Sequence, residues 1–244
     1  MSTMATKTVR ELAVEVPNAT RVFEKLGIDY CCGGKKSLED ACHAARLPVD
    51  EVLKELQSSA RTSPPAEFVL PSGSLHELIL HIAKTHHRFT REETVRLQAL
   101  LEKVCSVHGK NHPELFAIQE VFRALAQELS LHLMKEENVL FPYIVRMEEA
   151  VLQHDPVLPA PFGSVQNPVR MMMQEHDGAG EALHKIRVAS NNFALPGDAC
   201  ISFQTLYQAL QAFEADLHQH IHLENNLLFP RALQLEESTA AACR

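Results

Sequence analysis

The sequence predicts an all-α protein in which an antiparallel four-helix bundle follows a small N-terminal helical domain. Glycine is scarce, with 9 residues in a chain of 244, whereas Leu, Ala, Glu and Gln recur, and this composition favours helices. From Ser74 onward, apolar residues recur at helical spacing over four long segments. An eleven-residue sequence also occurs twice, in the second and fourth segments, which indicates a duplicated helical hairpin.

Residues 1–60 are predicted to form several short helices. Their ends are marked by capping and helix-breaking residues, namely Thr8 in a capping box with Glu11, Pro17, Gly27, Ser37 and Pro48. Residues 61–73 are rich in Ser and Pro, which is typical of a linker. We therefore expect a small helical domain, a linker and a bundle that occupies residues 74–240.

The bundle should contain four helices of about 30–39 residues each, since Pro-rich or Gly-containing breaks separate the periodic segments. The predicted helices cover residues 74–107, 113–150, 164–193 and 198–236. Two of the connections are short and one is longer, which suits antiparallel neighbours in a bundle.

Charge and hydropathy exclude several classes of protein. The net charge of −8 and the lack of a basic stripe argue against nucleic-acid binding. No run of about 18 apolar residues is present, so no membrane span is expected. The N-terminal residues lack the apolar stretch of a secretory signal. We therefore expect a cytoplasmic protein whose six cysteines are reduced.

The repeat connects histidines on different helices. HLMKEENVLFP begins at His132 and HIHLENNLLFP begins at His220, with six of eleven positions identical at an offset of 88 residues. If helical hairpins are duplicated, their first helices should carry equivalent groups. His176 precedes His220 by 44 residues, and His87 precedes His132 by 45. His86 also lies in this part of the first helix, and the spacing slightly favours His87.

The spacing His-x-x-x-Glu places both side chains on one face of a helix. His132 with Glu136, and His220 with Glu224, share their faces with leucines, so all four should point into the core. A buried carboxylate is costly unless it is paired or binds metal. With His176 and a histidine of the first helix, the set suits a dinuclear iron, manganese or zinc site. A structural zinc site is disfavoured because no thiolate is present in the set.

Other polar groups near these positions receive different interpretations. Glu128 lies one turn before His132 on the same face, so it could act as a second-shell or proton-path group. A further set on the fourth helix is predicted to form a solvated face, and it comprises Gln211, Glu214, His218, His222, Asn225 and Asn226.

The sequence DYCCGG at residues 29–34 places Cys31 beside Cys32. Neighbouring Cα atoms lie about 3.8 Å apart, whereas a disulfide requires roughly 4.4–6.8 Å. A bond between these residues would be strained, which favours a reactive or ion-delivering thiol pair. A buried structural pair is the alternative. Gly33 and Gly34 would permit a close approach of the backbone.

The N-terminal region contains DYCCGG, and the bundle contains HLMKE, QEHDGAG and HIHLENNLLFP. With this combination of motifs, nearly the whole chain resembles the repair-of-iron-centres family. These are cytosolic di-iron proteins with a hemerythrin-like domain. The resemblance implies two irons per chain, bridged by Glu136 and Glu224. The ligands that it implies are His87, His132, Glu136, His176, His220 and Glu224.

The resemblance also implies a function, which is the restoration of iron–sulfur clusters damaged by nitric oxide or peroxide. Iron donation and the binding or reduction of nitric oxide both remain open as the main activity, so an enzymatic role is open too. Cys31 and Cys32 would take iron or nitrosyl groups from the bundle or pass electrons to it. The implied partners are damaged iron–sulfur proteins, nitric oxide or dioxygen, and an electron donor. A homodimer is permitted but not required.

Two alternative functions use related bundles. A dioxygen carrier or sensor of hemerythrin type would have five imidazoles and one open position, whereas this chain offers four histidines and two glutamates. A carrier also has no need of a cysteine-bearing domain. A ferritin-like oxidase would use more carboxylates and the spacing Glu-x-x-His, which differs from the spacing found here.

Overall fold

The computed structural model describes residues 4, 6–60, 73–157 and 160–242, and residues 61–72 of the predicted linker lie outside this description. Within these ranges every regular element is helical and no β-strand forms. None of the helices described is long and apolar enough to cross a membrane. The predicted all-α class is confirmed.

Four short helices form the N-terminal region, and they are α1 Val9–Glu15, α2 Ala19–Leu26, α3 Leu38–Ala45 and α4 Val49–Ser59. The predicted capping box is present, since the Thr8 hydroxyl accepts from the Glu11 amide and the Glu11 carboxylate accepts from the Thr8 amide. Ser37 caps α3, and Gly27 ends α2 in the left-handed conformation with φ of 66°. These helices pack around an apolar cluster of their own.

Four long helices form the bundle, and three of them contain a π-helical turn. The first consists of α5 Leu75–Ile82, π1 Ala83–His87 and α6 Arg88–His108. The second consists of α7 Glu114–Lys135, π2 Glu136–Leu140 and α8 Phe141–Gln153. The third is α9 Gln166–Ala189 without interruption. The fourth consists of α10 Ile201–Leu223, π3 Glu224–Leu228 and α11 Phe229–Ala242.

The π-turns were not indicated by the hydrophobic period, but proline explains two of them. The Phe141 amide donates to the Glu136 carbonyl, five residues earlier, and Pro142 follows at once. A proline has no amide to donate and its ring clashes with the carbonyl four residues earlier, so a wider turn relieves the conflict. The Phe229 amide and Pro230 repeat this arrangement at π3. No proline follows π1.

Two apolar clusters fill the bundle, one toward each end. The first includes Leu97, Phe122 and Phe213, and the second includes Ile82 and Phe229. Along each bundle helix, the change from one cluster to the other occurs where the buried histidines and glutamates lie. The bundle therefore surrounds a polar layer with apolar packing on both sides, which excludes bulk water from that layer.

The N-terminal region is seated on the fourth bundle helix. The Asn226 side chain donates to the Tyr30 carbonyl over 2.9 Å, and Arg10 donates to the Asn226 carbonyl over 3.1 Å. His218 Nδ1 lies 3.0 Å from the Glu24 carboxylate. The Tyr30 ring packs edge-on against His222, with centroids 5.3 Å apart.

The expectation of a solvated face on this helix was therefore wrong. His222 is 2% exposed and Asn225 and Asn226 are each 7% exposed, while Glu214 is buried in an ion pair with Arg187. A polar helix face is typical of contact with water, but here the N-terminal region covers Asn225 and Asn226, and Arg187 of bundle helix α9 pairs with Glu214. The helical period of one segment contains no information about such a cover.

We expect residues 73–244 to fold without the N-terminal region, because all but one of the buried residues in the two bundle clusters come from the bundle itself. The exception is Cys31, which packs against the first cluster. Far-ultraviolet circular dichroism of the shortened chain should give a helical spectrum with a cooperative thermal transition. An insoluble or non-cooperative product, with the full chain as the control, would contradict this domain boundary.

Candidate metal centre

Six buried side chains from all four bundle helices converge on the polar layer, and each is at most 2% exposed. They are His87 at the end of π1, His132 in α7, Glu136 at the start of π2, His176 in α9, His220 in α10 and Glu224 at the start of π3. All six were predicted from the sequence. The structure places them side by side, although they are separated by up to 137 positions in the chain.

These residues form two overlapping groups of four that share both glutamates. In one group, ligand atoms of His87 and His220 lie with those of Glu136 and Glu224, all within 4.8 Å of one another. In the other, His132 and His176 take the place of the first two histidines under the same limit. Each pair of imidazoles could therefore hold one cation, with both carboxylates lying between the two positions.

Three of the four carboxylate oxygens are buried without hydrogen bonds, which fits a cation site, and the fourth, Glu224 Oε1, lies 3.0 Å from His220 Nε2. Both Glu136 oxygens and Glu224 Oε2 have no hydrogen-bond partner among the described residues. His132 Nε2 lies 3.3 Å from Glu136 Oε2, and His176 Nε2 lies 3.1 Å from Glu224 Oε2, close enough for attraction but poorly aligned. Burying carboxylates in this state is costly, and metal coordination is the usual compensation.

The imidazoles face each other in pairs. His87 Nε2 lies 3.1 Å from His220 Nε2, and His132 Nε2 lies 3.1 Å from His176 Nε2. His87 Nδ1 contacts Glu137 over 2.8 Å, and a carboxylate only accepts, so this nitrogen carries the proton. A neutral ring in this tautomer directs the lone pair of Nε2 toward the centre. Such a set of converging lone pairs suits one cation between each pair of rings.

Two glutamates outside the centre orient two of the rings. Glu137 accepts from His87 and is held by Arg91 over 2.8 Å, while Glu175 contacts His132 Nδ1 over 2.9 Å and is held by Lys135. These two outer carboxylates were not identified from the sequence. The signal that could have found them is adjacency, since Glu137 follows Glu136 and Glu175 precedes His176.

Glu128 does not occupy the predicted position next to the rings of the centre. Its side chain is exposed, and it lines a cavity of about 350 Å³ together with His132 and Glu175. Glu175, rather than Glu128, contacts the His132 ring.

The structure separates the two neighbouring histidines of the first helix. His87 lies in the centre, whereas His86 Nδ1 lies 3.0 Å from Asp216 Oδ1 and its ring stacks on His220, with centroids 5.9 Å apart. The repeat spacing had favoured His87. His86 is buried too, so burial alone could not have distinguished them.

The buried carboxylates control the protonation of the rings. Burial opposes a charge on His132, but the Glu136 carboxylate outweighs burial and raises the pKa of His132 to about 9. The pKa of His87 is also raised against the effect of burial, mainly by Glu224. Burial lowers the pKa of His220. Although burial favours a neutral Glu224, the adjacent His220 holds its pKa well below the usual range.

The metal-free protein is expected to lose stability as pH rises from about 6.5 to about 9. Since the folded pKa of His132 is raised above its ordinary value, the protonated ring stabilises the fold fully below pH 6.5, and this contribution is lost as pH passes through about 9. Melting temperatures of the metal-free chain across this range would measure the loss. The His132→Asn variant should show a shallower dependence, and a flat wild-type profile would contradict the assignment.

Residues 29–34, which carry Cys31 and Cys32 and are called the thiol loop, lie directly against this centre. Cys32 Sγ lies 3.6 Å from the His176 carbonyl oxygen, and the Asn225 amide donates to the Cys31 carbonyl over 3.2 Å. The same Asn225 accepts from His176 Nδ1 through its oxygen over 2.9 Å. Asn225 therefore joins the backbone of the loop to a ring of the centre. Both cysteines are free thiols.

Two substitutions at Asn225 should distinguish the effect of its contact with His176 from the effect of its contact with the Cys31 carbonyl. Asn225→Asp keeps an oxygen for His176 but places a carboxylate against the Cys31 carbonyl, so iron affinity should be retained while the loop shifts and Cys32 is alkylated faster. Asn225→Ala removes both contacts and should weaken iron binding by roughly 10–100-fold, the usual effect of losing an outer-shell partner. Equal iron affinity in the two variants would contradict the orienting role of Asn225.

Comparison with known proteins connects both parts of the chain to described families. Residues 78–232 match the hemerythrin HHE cation binding domain. Residues 5–60 match the ScdA N-terminal domain, described as a domain of unknown function. The histidines and glutamates of the centre lie within the first of these matches, and the thiol loop lies within the second.

Relatives resemble the whole chain. A probable iron-sulfur cluster repair protein of Haemophilus influenzae is 37% identical over 232 residues, covering 94% of this chain and 97% of the relative. The iron-sulfur cluster repair protein YtfE of Musicola paradisiaca is 34% identical over 231 residues, with the same coverage. YtfE of Escherichia coli O81 is 37% identical and covers 91% of this chain and 94% of the relative. With its centre, its thiol loop and its two matched domains, the chain belongs to the iron–sulfur cluster repair protein family.

Proposed function

We propose that this protein repairs damaged iron–sulfur clusters and that it does so with a di-iron centre in the bundle. The observation that carries the proposal is the pair of four-residue groups that share Glu136 and Glu224. Two cations held by such groups would be bridged by both carboxylates, and each would take two imidazoles. The printed names of the relatives support cluster repair as the purpose of the centre.

The ligand chemistry supports iron. Imidazole and carboxylate together suit iron, manganese or zinc, and di-iron centres are frequent in helical bundles. Bound iron would supply redox chemistry and labile positions for nitric oxide or dioxygen. The match to a cation binding domain of hemerythrin type agrees with this choice.

The residues of the chain then have distinct tasks. Glu137 and Glu175 fix the tautomer of His87 and His132, so that Nε2 of each ring would be free to hold iron. The apolar clusters on both sides of the polar layer exclude bulk water from it. Bound iron would replace the protons that the raised pKa values of His87 and His132 favour in the metal-free protein. Iron affinity should therefore fall as the pH falls.

Cys31 and Cys32 are assigned to the exchange between the centre and the damaged client. The contact of Cys32 Sγ with the His176 carbonyl supports this role, because it places a thiol beside a ligand residue. The thiols would accept iron or nitric oxide from the bundle or pass electrons to it. Reduced thiols suit a cytoplasmic site of action, and the five described cysteines are all free.

The first test is iron per chain with the visible spectrum, on full-length protein purified without oxygen and then exposed to air. Two irons and a ferric spectrum that does not reverse when oxygen is removed are expected. The same protein should restore activity to a [4Fe–4S] enzyme inactivated by nitric oxide. A reversible spectrum would favour dioxygen transport, and a chain without iron would overturn the proposal.

A further inference from the structure

A second group of metal-binding side chains lies outside the bundle centre. The carboxylate of Asp29 and the thiols of Cys31 and Cys32 offer one ligand atom each, all within 4.8 Å of one another. The two sulfur atoms lie 3.9 Å apart. Two sulfurs held by one tetrahedral ion, at about 2.3 Å each, would lie roughly 3.8 Å apart. The spacing is therefore suited to a shared ion and far too long for a disulfide.

The loop holds this arrangement before any ion is present. Asp29 Oδ1 accepts from the amides of Cys31 and Cys32 over 3.1 and 2.9 Å, and Oδ2 accepts from Gly33 over 2.9 Å. A carboxylate has about four acceptor positions, and the fourth, which the Cys31 thiol contacts over 3.4 Å, becomes open to an ion when that thiol loses its proton. A Cβ on Gly33 would lie 2.8 Å from Asp29 Oδ2, and one on Gly34 would lie 2.8 Å from the Tyr30 carbonyl. The two glycines therefore permit a tight loop in which the two sulfur atoms lie 3.9 Å apart.

A cavity of about 710 Å³ gives access to the thiols from one side of the junction between the N-terminal region and the bundle. Its lining has more acidic than basic side chains. The acidic residues are Glu24, Asp29, Asp177, Glu181 and Glu214, and the basic residues are Lys25 and Arg187. Such a lining raises the local concentration of cations near the sulfur atoms. The fourth position of an ion at the thiols would face this cavity.

We infer that Asp29, Cys31 and Cys32 form a second metal site, which takes one thiophilic divalent cation such as Zn²⁺ or Fe²⁺. As each metal–sulfur bond forms, the sulfur–hydrogen bond breaks and the proton leaves for solvent, with no change in oxidation state. The Cys31 thiol is directed at Asp29 Oδ1 and the Cys32 thiol at the His176 carbonyl, so the ion replaces two weak hydrogen bonds. This site does not depend on which metal the bundle holds.

The test uses the full-length, iron-loaded protein with reduced thiols, titrated with Co²⁺ in the absence of oxygen. Sulfur-to-cobalt charge-transfer absorption should appear in the near ultraviolet and saturate at one Co²⁺ per chain. Cobalt in the bundle cannot produce this absorption, because no sulfur belongs to that centre. Cys31→Ser and Cys32→Ser should each abolish the band, and Asp29→Asn should weaken Co²⁺ binding because it removes a charged ligand.

Cys200→Ser is the matched control, since Cys200 is an exposed free thiol with a histidine, His108, 3.1 Å away. Its band should be unchanged. No band at saturation, or a band that persists in the double Cys31→Ser, Cys32→Ser variant, would overturn the inference.

If the double variant fails to fold, the site is tested on the wild-type protein by the rate at which Cys32 is alkylated with and without Zn²⁺. Protection by Zn²⁺ is expected, and equal alkylation with and without Zn²⁺ would overturn the site. If the chain binds no iron but still gives the cobalt–thiolate band, the proposed di-iron function fails and the second metal site stands.

Discussion

Replacing Glu224 by Leu is expected to abolish tight binding of both proposed irons and to lower the stability of the metal-free protein at neutral pH. Glu224 lies within reach of both imidazole pairs, at 3.0 Å from His220 Nε2 and 3.1 Å from His176 Nε2. Loss of this carboxylate should therefore disturb both cations together. Leucine is similar in size to glutamate, but it removes the negative charge that raises the pKa of His87, so the metal-free protein loses the stability that this pairing supplies.

The measurements are iron per chain and the melting temperature of the metal-free form. Glu136→Leu should behave in the same way, because Glu136 also belongs to both groups of ligands. Glu128→Leu is the control, since Glu128 is exposed, and it should keep its iron. Retention of two irons by either of the first two variants would eliminate the bridging role. Loss of the cooperative melting transition in a variant would mean that its iron was lost through unfolding rather than through a missing ligand.

The fold could be predicted because its rules are local. The capping residues Thr8 and Ser37, the left-handed Gly27 and the long amphipathic segments each act within a few positions of the chain. The duplicated His-x-x-x-Glu then located two helices of the centre, and duplication extended the prediction to the other two. The repeat spacing only slightly favoured His87 over His86, which is buried as well, and the family resemblance implied His87 as the ligand.

The remaining features could not be predicted because they depend on contacts between distant segments. His222 and Asn226 occupy a polar stripe, and only the arrival of the Tyr30 loop makes that stripe an interface. Glu175 became an outer partner because α9 places it beside His132 of α7. The π-turns lie at His87, Glu136 and Glu224, where the wider turn changes which side chains face the core.

Replacing Cys31 and Cys32 together by Ala is expected to leave iron in the bundle while slowing cluster repair by about tenfold or more, roughly 1.4 kcal/mol in the barrier. The iron should stay because Cys32 touches the backbone of His176 rather than its ring. The loop should keep its shape because the Asp29 carboxylate accepts from backbone amides, which alanine retains. Iron per chain and the rate of reactivation of a damaged cluster enzyme would be measured on the same preparation.

The single variants Cys31→Ala and Cys32→Ala would show whether the two thiols act in sequence or together. Cys32 is the more accessible and lies nearest His176, whereas Cys31 is 6% exposed and burial and the adjacent thiol keep its pKa raised. Cys32→Ala alone should therefore slow repair more than Cys31→Ala if the thiols act one after the other. Equal losses would indicate that both sulfurs act on one ion together. Cys200→Ala should repair at the wild-type rate, and unchanged repair in the double variant would make the pair a structural feature of the loop.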